Sequence, residues 1–334
     1  MTSFTPIRAI FGTYTINEYP EDVRQGMLDV LERYDAKDLD TAYTYPDSEK
    51  IIGETGAPKK GFMIHTKAPA WKPHCLSRTS LEEGMRKSLE QLGVDSVETY
   101  FLHAPDATTP LEETLAAVNE LHASGKFKHF GLSNFPAADV QKIHDICTAH
   151  SYVLPTRYEG NYNPLSRHIE RTLFPLLRRL GIAFYAYSPL AGGFLARSSA
   201  AQITSASAAT GRASRATPIG AFYHGLYARP SLLAALADWD ALATEARLSR
   251  AALAYRWVAY SSALRAEAGD AVIVGASRVA QLEETLRVLG ADGGGPLDPR
   301  TVERIDRIWE AVKAEAPLDN AHPSVVGGSE SLGV

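Results

Sequence analysis

Phe62-Met-Ile-His-Thr-Lys67 is a short, mostly apolar run that ends abruptly on a charge, and its reading decides the fold. A run of this kind suits a strand buried in a parallel sheet. Behind it, Leu81, Met85, Leu89 and Leu92 recur at spacings of four, four and three, and Gly93 stops the helix they imply. Strand, loop and helix make one unit, and the unit repeats in both directions.

Toward the N-terminus, Lys37 to Asp40 reads as a strand followed by a helix from Ser48 to Glu54. Before that, Ile7 to Phe11 is a strand that exits at Gly12-Thr13. Glu21-Asp22 then open a helix with Val23, Met27, Val30, Leu31 and Tyr34 on one face. Toward the C-terminus, Val97 to His103 is the fourth strand. Thr109-Pro110-Leu111-Glu112 reads as a capping box with Pro at the first helical position, opening a helix that runs to Gly125. Lys128 to Leu132 is the fifth strand, ending at Ser133-Asn134, with a helix through Val140, Ile143 and Cys147. Val153 to Glu159 is the sixth, followed by the stripe Ile169, Leu173, Leu176, Leu177 and Leu180, in which Pro175 should kink or restart the helix before Gly181. Ile182 to Tyr187 and Ala271 to Val274 complete the set, the latter followed by a helix through Val279, Leu282, Leu286 and Leu289.

Eight such alternations without a hairpin signal imply parallel strands, because each return then needs a crossover helix. The expected fold is α/β, a closed (β/α)8 TIM barrel forming a single domain over 1–334. An open doubly wound sheet would call for GxGxxG after its first strand, and none stands there. Additional helices are expected from Ser249 to Leu264 and from Pro299 to Lys313, and a long loop from Gly192 to Arg229 after strand seven reads as a lid or binding loop. The tail from Ala316 to Val334 has few large apolar residues and is expected to be mobile.

A hydrophobic content of 45% and a charged content of 22% describe an ordinary globular chain, and a net charge of -5 without a Lys/Arg cluster argues against nucleic acid as a partner. Met1 to Arg8 lacks a signal-peptide core, and no run reaches the roughly 18 apolar residues of a membrane helix, so a cytoplasmic protein with no membrane partner is expected. Cys75 and Cys147 form no CxxC and suggest neither disulfide nor zinc.

In a barrel, function stands at the C-terminal ends of the strands. Asp40, Lys67 and His103 end strands two, three and four, and Tyr45 lies in the loop after Asp40. Taken singly, each has an ordinary structural reading. Together they make a proton-transfer device. A tyrosine, with a pKa of about 10, donates poorly near neutrality unless a cation favours its ionised form. Lys67 supplies the cation, Asp40 keeps it charged, and a neutral His103 can hold a substrate oxygen.

These residues resemble an aldo-keto reductase. The resemblance runs from Gly12-Thr13 to the helix after Ser277 and includes Asp40-Thr41-Ala42, Tyr45, Lys67 and Leu102-His103-Ala104-Pro105-Asp106. Gly125-Lys126-Phe127, Gly131-Leu132-Ser133-Asn134, Tyr162-Asn163-Pro164, Phe174-Pro175-Leu176-Leu177 and the run from Tyr185 to Gly193 are most similar to the aflatoxin aldehyde reductase branch. The resemblance implies NADPH-dependent reduction of an aldehyde or ketone, with Tyr45 protonating the forming alkoxide. It implies a nicotinamide carboxamide held near Ser133, Asn134 and Glu159, with Tyr187 stacked on the ring. Gly12, Thr13 and Asp40 belong to the same site, Ser188, Leu190 and Gly192 to the pyrophosphate path, and Ser277, Arg278, Gln281, Glu284 and Thr285 to the adenosine end. Arg278 is the cation suited to a 2′-phosphate, which makes NADPH the expected cofactor ahead of NADH. No metal is expected.

Glu159 departs from the pattern, since the family usually has Gln there, and an anion cannot donate to a carboxamide oxygen. Two other readings stand beside the reductase. One is an NADPH-binding regulatory barrel subunit with little turnover. The other is a metal-dependent hydrolase using His65, Asp40 and His103, for which the usual run of convergent ligands is lacking. Tyr14, Trp71, Phe135 and Tyr223 are loop aromatics that would suit an apolar pocket wall, and Arg212, Arg215 and Arg229 would suit an anionic group. A monomer and a homodimer are equally compatible with the sequence.

Overall fold

A computed structural model describes residues 6–204, 217–290 and 295–320. Its sheet is a closed parallel barrel in the order β1 (Arg8–Gly12), β2 (Asp38–Asp40), β3 (Met63–Lys67), β4 (Val97–Leu102), β5 (Phe127–Ser133), β6 (Pro155–Asn161), β7 (Ala183–Tyr187) and β8 (Ala271–Val274). Closure comes from β1 against β8, where Ile10 faces Ile273 in register. The expected (β/α)8 barrel is the observed one.

Alternation along each strand divides the apolar residues between two cores. Phe11, Ile64 and Leu102 belong to the large core between sheet and helices. Ile10, Phe101, Tyr185 and Ile273 form a second cluster inside the barrel. The outer layer comprises α1 (Glu21–Arg33), α2 (Ser48–Glu54), α3 (Arg78–Leu92), α4 (Leu111–Ala123), α5 (Ala137–Ala149), α6 (Ile169–Thr172) and α7 (Phe174–Leu180). Pro175 sits in the first turn of α7, so the helix restarts there as its sequence suggested. After β7 come α8 (Ala201–Thr204), α9 (Pro218–Tyr227), α10 (Pro230–Glu245) and α11 (Arg250–Arg256), and after β8 come α12 (Val279–Leu289) and α13 (Pro299–Val312). No described helix is long and apolar enough to cross a membrane.

Five details differ from the sequence reading. The capping box before α4 does not form: Pro110 is the N-cap, and the Thr109 hydroxyl donates instead to Asp106 at 2.7 Å. Asp106 also accepts from the Leu76 and Thr108 backbone N–H groups, and this turn draws Thr109 away from the helix. Strand six lies two residues later than expected, because Val153 is held outside it by the Asn119 side chain at 3.0 Å. The stretch read as a loop from Gly192 to Arg229 carries α8 and α9, while Arg212 and Arg215 lie outside the described residues. Helix α10, unmarked in the sequence reading, buries Leu232, Leu236, Trp239 and Leu242. The start of the tail also packs: Ala316 is buried, and Ser166 donates to the Pro317 carbonyl at 2.9 Å.

Candidate active site

The C-terminal ends of the strands form a polar cup above the inner apolar cluster. Lys67, at the end of β3, is 1% exposed, and its ammonium donates to the Asp40 carboxylate and, at 2.9 Å, to the Thr41 carbonyl. Glu159 of β6 stands on the other side, with Oε1 3.3 Å from Nζ. Burial alone disfavours a charged ammonium, but Asp40 and Glu159 overcome it and hold the Lys67 pKa above that of an ordinary lysine. Asp40 is itself fixed from behind: the Thr13 hydroxyl donates to its carbonyl at 2.6 Å and shares Ser48 with Thr41.

Tyr45 lies over this cation, with Nζ 5.0 Å from its ring centroid. Its ring also meets Tyr14 edge-on at 5.0 Å and His103 at 5.8 Å. Tyr43, two residues away, instead makes a side-chain contact with Lys87 of α3 and lies near the buried Tyr100 phenol. The structure thus separates two chemically identical side chains.

His103 is buried, with Nδ1 3.3 Å from the Thr44 hydroxyl and Trp71 edge-on at 5.6 Å. Desolvation, then the nearby Lys67 charge, lower its pKa well below the usual value, so the imidazole is neutral at pH 7. A histidine whose folded pKa is depressed contributes stability above its unfolded pKa of about 6.5, and that stability is lost as the pH falls through and below it. The melting temperature of the protein should therefore fall more steeply between pH 6.5 and pH 5 than that of His103→Gln. The difference is at most about 1.4 kcal/mol per pH unit, and parallel melting curves across this range would refute the assignment of a neutral His103.

Around the cup, Asn134 bridges three strand ends. Its Nδ2 donates to the His103 carbonyl at 2.9 Å and to Ser133 Oγ at 3.0 Å, while its Oδ1 accepts from the Tyr187 hydroxyl at 2.7 Å. Ser188 Oγ pairs with the Tyr223 hydroxyl at 2.6 Å. Asp47, Trp71, Asn134, Ser188 and Ala191 all adopt positive φ in the loops of this face. Such conformations cost about 1–3 kcal/mol each and gather where a site demands a fixed shape. Gly192, at φ 67°, meets this demand differently, because a Cβ there would lie 2.2 Å from the Tyr223 ring.

The structure gathers Gly12, Thr13, Asp40, Ser133, Asn134, Glu159, Tyr187, Ser188, Leu190 and Gly192 at strand ends or in the loops that follow them. The residues expected at the adenosine end form a separate group at α12, where the Ser277 hydroxyl donates to Gln281 at 2.9 Å and Glu284 accepts from Ser249 at 3.2 Å. Arg278 is exposed and makes no ion pair among the described residues, whereas Thr285 is buried. Of the aromatics, Tyr14 and Trp71 border the cup. Phe135 belongs to the core, and Tyr223 is taken up by Ser188. His65 faces below the cup, bonded to Asp38 at 2.7 Å and Thr99 at 2.9 Å. It therefore does not converge with Asp40 and His103. The sequence reading missed Thr44, although it lies between Asp40 and Tyr45, and it missed the contact of Glu159 with Lys67, which no spacing signals.

The sequence signature described as "Aldo/keto reductase family" matches residues 8–310. The chain belongs to the aldo/keto reductase family. The chain is similar to the protein named Oxidoreductase sirO of Leptosphaeria maculans, 42% identical over 92% of this chain and 95% of the relative. Aflatoxin B1 aldehyde reductase member 2 is 38% identical in Mus musculus, over 84% of this chain and 78% of the relative. The protein of that name in Homo sapiens is 37% identical, over 84% of this chain and 80% of the relative. As an aldo/keto reductase the chain is an oxidoreductase that acts on carbonyl compounds, and a small-molecule carbonyl substrate suits the cup.

The residues present suit the nicotinamide cofactors general to aldo/keto reductases. Glu159 Oε2 is buried without a hydrogen-bond partner among the described residues, an acceptor that a ligand amide would satisfy. Gly193 and Gly275 have open space where a side chain would begin, which leaves the backbone of two loops approachable.

Proposed function

We propose that the chain reduces an aldehyde or ketone to the alcohol with NADPH, and that Tyr45 is the proton donor. The observation that carries this reading is the buried Lys67, held by Asp40 and lying over the Tyr45 ring. When bound, the reduced cofactor would supply a hydride for the carbonyl carbon. Ser133, Asn134, Glu159 and Tyr187 would hold its nicotinamide end, Ser188, Leu190 and Gly192 its pyrophosphate, and Ser277, Arg278, Gln281, Glu284 and Thr285 its adenosine end, with Gly12, Thr13 and Asp40 completing the floor.

Tyr45 delivers its phenolic proton to the substrate oxygen as negative charge develops there. Lys67 stabilises the charge left on the phenol, and Asp40 fixes Lys67 in place. In this reading His103 carries its proton on Nε2, with Nδ1 facing the Thr44 hydroxyl at 3.3 Å, and the Nε2–H donates a hydrogen bond to the same substrate oxygen, so two donors converge where charge appears. Tyr14 and Trp71 give the mouth an apolar wall suited to an aromatic or extended carbonyl compound. The names of the mammalian relatives support an aldehyde as that compound. Arg278 favours the cofactor bearing a 2′-phosphate.

The test is consumption of NADPH and NADH, followed by absorbance, against a panel of short-chain, aromatic and dicarbonyl aldehydes. The expected result is turnover with NADPH exceeding that with NADH by about tenfold or more, the effect of one well-placed charged contact. Cofactor binding without turnover on any member of the panel would favour a regulatory subunit.

A further inference from the structure

One cation serves two buried carboxylates at the floor of the cup. Lys67 donates directly to Asp40, while Glu159 stands 3.3 Å away and is only 2% exposed. Its second oxygen, Oε2, has no hydrogen-bond partner among the described residues. With both carboxylates ionised, this dry floor carries one uncompensated negative charge, and a single proton on Glu159 removes it. Asp40, with the direct contact, keeps the cation.

We propose that Glu159 selects between the redox forms of the cofactor: by exchanging one proton with solvent, it sets how strongly the site prefers the oxidised, positively charged nicotinamide over the reduced, neutral one. This rests on the cofactor reading given above. An anion at Oε2 attracts a cationic ring and gains nothing from a neutral ring. A protonated Glu159 behaves as an amide would and discriminates little between them. A Gln at this position could not make the exchange, so the property depends on the carboxyl of Glu159.

The surroundings place that exchange in an accessible range. Burial first, then Asp40, push Glu159 up to about 8, against the lowering pull of Lys67. The groups facing it are Asp40 from β2, Lys67 from β3 and Tyr187 from β7, while β5 presents the uncharged Ser133 in register with it. On the remaining side, the Tyr185 phenol is engaged below by Arg8. By reciprocity, binding of the oxidised form must then drive a proton off Glu159, and binding of the reduced form must not.

The test measures equilibrium binding of NADP+ and NADPH separately, by calorimetry or quenching of intrinsic fluorescence, from pH 6 to pH 9. The cofactor phosphates titrate in both forms and cancel in the ratio of dissociation constants. In the unaltered protein, preference for NADP+ over NADPH should rise with pH by about tenfold over this range. NADP+ binding near pH 7 should release a fraction of a proton, read from calorimetry in buffers of different ionisation enthalpy. In Glu159→Gln the ratio should be flat and the release absent, while Glu159→Asp, which keeps the titrating group, should retain a slope. If both forms bind but the ratio does not change with pH, or if Glu159→Gln keeps the full slope, the redox selection is wrong and the cofactor reading stands. If neither form binds at any pH, the cofactor reading fails and takes this inference with it.

Discussion

Tyr45→Phe should lower kcat by about 10²–10⁴-fold, the range that a positioned proton donor contributes. Cofactor affinity should stay within about twofold, because the substitution removes one hydroxyl and leaves the ring that packs against Tyr14 and His103. Tyr43→Phe is the matched control. Tyr43 makes its side-chain contact with Lys87, on the helix side of the barrel, so its loss should leave kcat within about twofold and cost at most about 1 kcal/mol of stability. Steady-state kinetics of both variants, with cofactor titrations, decide the matter. Equal kcat in the unaltered protein and Tyr45→Phe, or a larger loss in Tyr43→Phe, would remove Tyr45 from its role.

Lys67→Met should have two large effects with one origin. Turnover should fall at least as far as in Tyr45→Phe, because the phenol loses the charge that stabilises its anion. The fold should also lose about 3–5 kcal/mol near neutrality, since the buried Asp40 carboxylate is left with no counterion. The sign of the pH dependence follows. Without the cation, Asp40 is an unpaired buried carboxyl, and ionising such a group costs stability as the pH rises. Denaturant unfolding of Lys67→Met should therefore approach the unaltered protein near pH 4 and diverge from it toward pH 8. A constant deficit over that interval would show that the loss comes from packing alone. Lys67→Arg restores charge without the point geometry, and should recover much of the stability and little of the turnover.

The barrel was legible because its signal is repeated. A single run such as Phe62 to Lys67 suits a helix as well as a strand, but eight of them separated by amphipathic stretches leave one closed solution. Helix α10 escaped because its alanines dilute the stripe of Leu232, Leu236, Trp239 and Leu242, and because it follows a stretch rich in Ser and Ala that reads as loop. The capping box failed for a reason outside its own four residues: Thr109 serves the Asp106 turn, which also takes the Leu76 backbone N–H from across the chain. At the site, strand-end residues could be listed from the sequence, since parity along each strand puts Asp40, Lys67 and His103 on the inner side. The meeting of Glu159 with Lys67 could not. It depends on strands three residue-blocks apart in the closed sheet, and closure is a property of the whole ring.

The apolar cluster inside the barrel has a further consequence. Ile10, Phe101, Tyr185 and Ile273 lie between the cup and a lower polar group in which Asp38 accepts from Arg8 at 3.1 Å and pairs with His65. Chains of hydroxyl and carboxyl groups conduct protons, whereas hydrocarbon does not. Apolar side chains thus separate the two charged assemblies, and on the proposed mechanism the proton given up by Tyr45 is replenished through the mouth, past Trp71 and the substrate's own exit path. Reprotonation is thereby tied to ligand departure, and a solvent isotope effect should track the release half of the cycle.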